Sequence, residues 1–484
     1  MAKRRRKRRS KRKVKKTRRH VLYLLVAALI LAGIYSFYHQ KIAEKAIDPQ
    51  VVLLKKAVKL DDVTLPMGTS LVADRQSGSS YHVTIYQRSQ KHTGYVSQKN
   101  VLIYHYDASF ENNIALFPDS YKQLLRNLHA LYPQWIFMIK NVPYSFDYCA
   151  RVYQTKALTT YTDPSMIASS TVLEGSSWRR ASLSLVRFVL DPRNSLIADR
   201  ACVFERLSYN SEETLGQIEK MLKGTYLAGT DPLSHQSYAT LLKNACLKYN
   251  MSLSNIATRA KQENGGGGIG VKGAYASGDA SKKYYNIFNI GANTGAQSGI
   301  DYAKRQGWDT REKAINGGVA YIASHYKNQM TLYEQRFDLG SRVLNTNVYM
   351  LNITAPMEEA KHMMNSYLSV DSDHVSRSLS IPVFKNMPGR SLYPHEGTAY
   401  DLSLYGDETL VPIRNVQASY KKVNKYTGKE IRPSIRLTYG KLTLREGIDY
   451  VVSYENNKQT GQGTIVIKGL NKFTGMVNKT FTIE

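Results

Sequence analysis

The stretch Ile256-Ala-Thr-Arg-Ala-Lys-Gln-Glu263 delivers one carboxylate and then runs into four glycines, Gly265 to Gly268. Leu253, Ile256, Ala257 and Ala260 recur at i, i+3, i+4 and i+7, with Ser252 or Ser254 available as N-cap, so the spacing predicts a helix. Seven residues beyond Ile256 is nearly two turns, which places Glu263 on the same face, expected to be the buried one. The glycines stop the helix and allow close backbone approach. Partial desolvation of a carboxyl there favours its protonated form, which suits a general acid. The bland alternative is a solvated Glu at a helix end followed by an ordinary loop. A phosphate-cradling loop is excluded, because no Gly-Lys-Ser/Thr follows and the order helix-then-glycine is reversed.

A second patterned stretch, Tyr284-Tyr-Asn-Ile-Phe-Asn-Ile-Gly-Ala292, alternates aromatic residues with Asn. Aromatic faces stack on sugar rings and Asn bonds hydroxyl and amide groups, so this pattern suits a glycan groove. A core strand with Tyr and Phe turned inward reads equally well. Cys149, Cys202 and Cys246 are widely spaced, without a CxxC, and form one bridge or none. The eleven His residues make no HExxH. Neither a metal nor another cofactor is expected.

The elements that would hold these residues belong to a long, basic chain of 484 residues and net charge +29. Residues 1–20 carry 14 Lys/Arg and no acid, while residues 21–40 carry no Asp, Glu, Lys or Arg. Val21 to Tyr38 is an apolar run long enough to cross a bilayer. It is longer than a signal-peptide core, and the basic arm keeps its own side cytoplasmic. The expectation is therefore a single uncleaved anchor with the rest of the chain outside, and no nucleic acid as partner. Residues 49–105 read as short strands between Gly/Ser turns, a small antiparallel barrel. Thr64 to Val72, Tyr81 to Ile85 and Gly94-Tyr-Val-Ser97 resemble bacterial Src-homology-3-type domains. From 106 to 250 the periodicity turns helical at Ser120–Leu131, Ala181–Asn194, Thr214–Leu222 and Ser237–Tyr249. Residues 269–283 are Gly-, Ala- and Ser-rich, a small lobe or lid with little packing. Helical pattern resumes at Ala314–Tyr326 and Thr331–Phe337.

Residues 181–365 resemble glycoside hydrolase family 73, the endo-β-N-acetylglucosaminidases that cut peptidoglycan. The resemblance is carried by Leu190-Asp-Pro-Arg-Asn194, Lys261-Gln-Glu263, the Tyr284–Ala292 motif, Trp308, Ala314-Ile-Asn-Gly-Gly318, Thr331-Leu-Tyr-Glu-Gln-Arg-Phe337 and Tyr349-Met-Leu-Asn-Ile353. It implies a lysozyme-like, mostly helical fold with a small lobe and a glycan groove. It also implies that Glu263 protonates the leaving oxygen of the β-1,4 bond from N-acetylglucosamine to N-acetylmuramic acid. Tyr285 then lies near the cleaved bond, and Asn286, Phe288, Asn289 and Trp308 are candidate groove residues. A second carboxylate is normally needed. Between Glu263 and Tyr284 the chain offers only Asp279, with Asp301, Asp309 and Glu312 further on. Asp279 is the candidate; the substrate's own 2-acetamido group is the alternative nucleophile.

Residues 399–484 read as a β-sandwich, with strands at Ser434–Tyr439, Tyr450–Tyr454, Gly463–Lys468 and Lys479–Ile483. They resemble bacterial immunoglobulin-like surface modules. The whole is expected to be multidomain: basic arm, transmembrane helix, β-barrel, α-dominated lysozyme-like catalytic domain over 106–390, and β-sandwich. Its expected partners are peptidoglycan strands, with anionic wall polymers suited to the basic surface. The rival readings are a non-enzymatic wall-binding scaffold and a lytic transglycosylase or muramidase.

Overall fold

The computed structural model describes residues 28–31 and 44–484, except 61–62, 88–89, 265–266, 326–329, 349, 371–373, 389–410, 441, 448 and 471–472. The expected arm and the 21–38 anchor lie outside the described residues, apart from Ala28 to Leu31, which are helical and exposed. Among the described residues no helix is long and apolar enough to cross a membrane.

The first β unit begins earlier than its turn signals imply, at β1 (Glu44–Leu54). It continues through β2 (Val58–Leu60), β3 (Val63–Leu65), β4 (Ser70–Ser77), β5 (Ser80–Gln87), β6 (Gln90–Ser97) and β7 (Val101–Leu102). The five longer-range partners form an antiparallel sheet in the order β6-β5-β4-β1-β7, and β2–β3 is a separate hairpin. Val52 pairs with Leu71 in register, and both turn inward with Leu54, Leu65, Val83 and Val96. The intervening residues Val51 and Leu53 of β1 are buried as well, so this strand is covered on both faces. Gly68 turns the chain with φ +82, and a Cβ there would lie 2.7 Å from the Ala198 Cβ. Glycine at this turn lets the unit seat closely on the helical domain.

One continuous core runs from Tyr104 to Phe384 and takes in Leu470 of the C-terminal unit. Helices occur at Asp119–Leu131, Leu183–Leu190, Leu215–Leu222 and Tyr238–Tyr249, close to the periodic segments read from sequence. The helix Leu215–Leu222 starts with a reciprocal capping box between Thr214 and Gln217, which satisfies two otherwise unpaired N–H groups. The expectation of a helix-dominated region needs correction in two places. Ile136–Ser145 is a strand that pairs in parallel with Ser378–Lys385, and Leu158–Thr159, Ile167–Glu174 and Trp178–Ala181 make a small antiparallel sheet. The parallel partners are far apart in sequence, so no local periodicity could reveal them. Arg377, just before the returning strand, is fully buried between Glu205 (2.8 Å) and Glu213 (3.2 Å). The Tyr367 ring lies 3.5 Å from its guanidinium. Burying a cation so deeply is tolerable only because two carboxylates and an aromatic face surround it.

The C-terminal unit has its own core of Leu437, Ile465, Ile467, Phe473, Phe481 and Ile483. It comprises a three-stranded sheet (Gln417–Tyr420, Ile435–Tyr439, Leu442–Thr443) and a four-stranded sheet (Val423–Asn424, Met476–Ile483, Gly461–Gly469, Tyr450–Glu455). The four expected strands are present, and the expected start at 399 lies outside the described residues. This unit touches the helical domain through a buried ionic knot. Glu111 accepts from Arg126 Nε (2.7 Å), from Tyr104 Oη (2.8 Å) and from Lys468 Nζ (2.7 Å). Burial opposes ionisation of Glu111, but the bonds from Arg126, Lys468 and Tyr104 outweigh it and hold the carboxyl down to about 2.

Candidate active site

The Glu263 helix spans Leu253–Asn264. Leu253, Ile256, Ala257 and Ala260 are fully buried, as their spacing requires. Glu263 is not: it is exposed, as are Lys261 and Gln262 beside it. The expected buried position does not hold, because the core ends at Ala260 and the last turn emerges from it into solvent. A carboxyl at such an end faces any ligand that lies across it. Gly267 follows with φ +91, and the ring of Tyr226 occupies the space where a Cβ would stand. Tyr226 is 51% exposed and carries the Lys272 ammonium 4.9 Å above its ring. It is a half-exposed aromatic ring beside the glycine loop, and nothing in its local sequence, Gly-Thr-Tyr-Leu, marks it.

The small lobe is the short helix Ile269–Lys272 and the hairpin Ala274–Ala276/Asp279–Tyr284. Most of the hairpin is exposed, as expected of a lobe with little packing, and three acids tie it down through hydrogen bonds and ion pairs. Asp279 accepts from the Ser281 backbone and hydroxyl and from Tyr284 Oη, and pairs with Lys304 at 3.1 Å. These bonds, the Ser281 hydroxyl first, hold its carboxyl well below the usual range. Asp301 accepts from Ser277 N and Oγ, each at 2.7 Å. Asp309 bridges Lys282 and Lys313, each at 2.7 Å. Asp279 therefore pins a hairpin, with both carboxylate oxygens engaged, and is absent from the crevice that Glu263 lines.

The aromatic–Asn motif divides. Tyr285 is half-buried, its N–H donating to Trp308 O at 2.9 Å. The Arg311 guanidinium lies 4.5 Å from its ring centroid. Arg311 also donates from Nε to Val271 O at 2.9 Å and sits 3.8 Å from the buried Asp231. Asn289 is exposed with a left-handed φ of 56, a conformation Asn tolerates. The expectation of groove contacts does not fit the side chains of Asn286, Phe288 and Trp308, which are buried. Asn286 Nδ2 donates to Ile290 O and Gly299 O, and its Oδ1 accepts from Ile290 N. The rings of Trp308 and Phe288 lie against Gly317 and Gly318 of the helix Arg311–His325, where any Cβ would collide with them. That packing is the physical content of the Ala314–Gly318 motif: two adjacent glycines let two aromatic rings press onto a helix backbone. The Leu190–Asn194 motif is likewise framework, since Asp191 caps Arg193 N and grips its guanidinium at 2.9 and 2.6 Å.

A narrow crevice of about 30 Å³ is lined by Asn255, Thr258, Arg259, Gln262, Glu263, Glu359 and Met363. It brings a second carboxyl, Glu359 of the helix Ala355–Ser369, beside Glu263. Sequence reading missed it because ninety-six residues separate the two. The three cysteines are buried and free. Among the described residues no group of three or more His, Cys, Asp or Glu could hold a metal ion.

No family model matches the chain. The chain is 28% identical over 227 residues to the bifunctional autolysin of Staphylococcus epidermidis, covering 44% of this chain and 16% of that protein. It is 30% identical over 191 residues to the bifunctional autolysin of Staphylococcus aureus (strain Mu50), covering 37% and 15%. It thus spans about a sixth of the length of these curated relatives. Among solved structures, S. aureus glucosaminidase B matches 52% of this chain and 94% of its own at 21% identity, with a TM-score of 0.40.

Proposed function

We propose that the chain is a membrane-anchored glycoside hydrolase that cuts peptidoglycan at the β-1,4 bond from N-acetylglucosamine to N-acetylmuramic acid. The observation that carries this reading is the exposed Glu263 carboxyl at the end of a helix otherwise buried to Ala260. The sequence likeness to two bifunctional autolysins and the motif resemblance of residues 181–365 to family 73 support it. In this reading Glu263 gives its proton to the N-acetylmuramic acid oxygen as the bond to the N-acetylglucosamine anomeric carbon breaks. Such general-acid help contributes about 10²- to 10⁴-fold. Asp279, Asp301 and Asp309 are committed to the lobe, which favours the substrate's 2-acetamido oxygen as the attacking group. Water then opens the resulting ring, assisted by the Glu263 carboxylate. Tyr285, held by Arg311, borders the reacting sugar; Asn289 and Tyr226 supply polar and aromatic contact along the strand. Residues 21–38 anchor the chain with the basic arm inside. The β unit over 49–105 serves as a barrel-like wall-binding module, and the unit over 399–484 as an immunoglobulin-like sandwich without chemistry.

The test is digestion of purified, pre-reduced peptidoglycan with the full chain, a second reduction, and mass spectrometry of the new ends. Reduced N-acetylglucosamine is expected from the wild type and none from Glu263→Gln. New muramic acid or anhydromuramic acid ends would instead make it a muramidase or lytic transglycosylase. Binding without new ends would make it a scaffold.

A further inference from the structure

Glu359 is a quarter exposed, and Arg259 Nη2 donates to its Oε2 at 3.4 Å while also donating to Gln335 Oε1 at 3.3 Å. Arg259 precedes Glu263 by four residues, so it lies one turn below it on the same helix face. The crevice that both carboxyls line closes on Met363 and the neutral polar groups of Asn255, Thr258 and Gln262. Building on the hydrolase reading, we propose that Glu359 is a positioning residue for cleavage. Through Arg259 it fixes the last turn of the Glu263 helix, and through its own charge it keeps a proton in the shared crevice.

The two carboxyls line one small crevice, and the charge of the exposed Glu263 disfavours ionisation of the more buried Glu359. Burial is the largest influence on Glu359 and raises its proton affinity; Arg259 opposes, the charge of Glu263 adds to the rise, and His362 on its own helix opposes weakly. The net direction is upward. The Arg259 bond, long at 3.4 Å, lowers the proton affinity of Glu359 without reversing the rise from burial. A proton taken up by Glu359 is held in the crevice that Glu263 also lines, at the end of the helix where the glycosidic oxygen would lie. The rival account is a plain helix–helix staple between Arg259 and Glu359.

The rate at which the full chain releases new reducing ends, measured across pH, separates these accounts. Glu359→Gln keeps the shape and the Arg259 bond but removes the charge. It is expected to retain the wild-type melting temperature and KM and to lower kcat about tenfold. The alkaline limb of its profile is expected to move about 0.5–1 pH unit toward acid. Glu359→Asp should restore the limb. An unchanged profile in Glu359→Gln overturns the proposal. So does an equal loss at every pH that tracks a fall in melting temperature, because that is what a staple does. If the wild type cleaves, Glu263→Gln does not, and Glu359→Gln is unaltered, only this proposal falls. If the wild type releases no reducing ends, the hydrolase reading falls and this one with it.

Discussion

Removing the fork of Arg311 tests whether the site depends on a held tyrosine. Its guanidinium faces the Tyr285 ring at 4.5 Å, bonds Val271 O at 2.9 Å, and stands 3.8 Å from the buried Asp231. Those contacts tie three segments together: the lobe after the glycine loop, the aromatic motif, and the loop before the helix Tyr238–Tyr249. A charge-assisted hydrogen bond contributes about 1.5–3 kcal/mol. A partly buried cation–π contact adds about 0.5–1 kcal/mol. Arg311→Met therefore loses about 2–4 kcal/mol of local order. If roughly half of that, about 1–2 kcal/mol, holds Tyr285 in its working position, kcat/KM falls about 5- to 30-fold, at about 1.4 kcal/mol per decade. Arg311→Lys keeps the charge but not the planar fork, so the expected loss is smaller, about three- to tenfold. The assay is initial-rate release of reducing ends from soluble glycan strands, with kcat and KM resolved and melting curves alongside. The loss is expected in kcat, because a misplaced group weakens the transition state more than the bound substrate. Wild-type kcat/KM in Arg311→Met, in a protein that melts normally, refutes the reasoning.

Two other perturbations test the framework. Glu111 has an ordinary carboxyl value of 4.5 that the folded state depresses to about 2, a stabilisation of about 3 kcal/mol at neutral pH. A depressed carboxyl contributes fully above the unfolded value and loses its contribution as pH falls from about 4.5 to about 2. Denaturant melts of the wild type should weaken through that window, and Glu111→Gln should be weaker at pH 7 and flatter below 4.5; an unaltered acid slope in the variant would discount the knot. Asp279→Asn is expected to keep most cleavage activity while loosening the hairpin to proteases, since its oxygens serve Ser281, Tyr284 and Lys304. Complete loss of cleavage with an intact hairpin would return Asp279 to the chemistry.

By itself, the sequence determined the local elements and the one acid worth testing. Period-3.6 apolar spacing placed the helices ending at Leu131, Leu222 and Tyr249, and alternation placed the C-terminal strands, because both signals are short-range. It also carried the Gln-Glu263 ending, since helix face and glycine stop are written in consecutive residues. The tertiary structure decided what those residues face. Glu263 shares its face with Ile256, but burial needs a neighbouring element, and the core stops one turn earlier. Phe288 and Trp308 look like groove residues until Gly317 and Gly318 are seen beneath their rings. Asp279 looks available until Lys304 arrives from another helix. Strand Ile136–Ser145 acquires its parallel partner, and Glu263 its neighbour Glu359, only when remote segments meet. Spacing along the chain fixes direction within one element; whether a side chain ends in solvent, core or ion pair is fixed by which other element comes to lie against it.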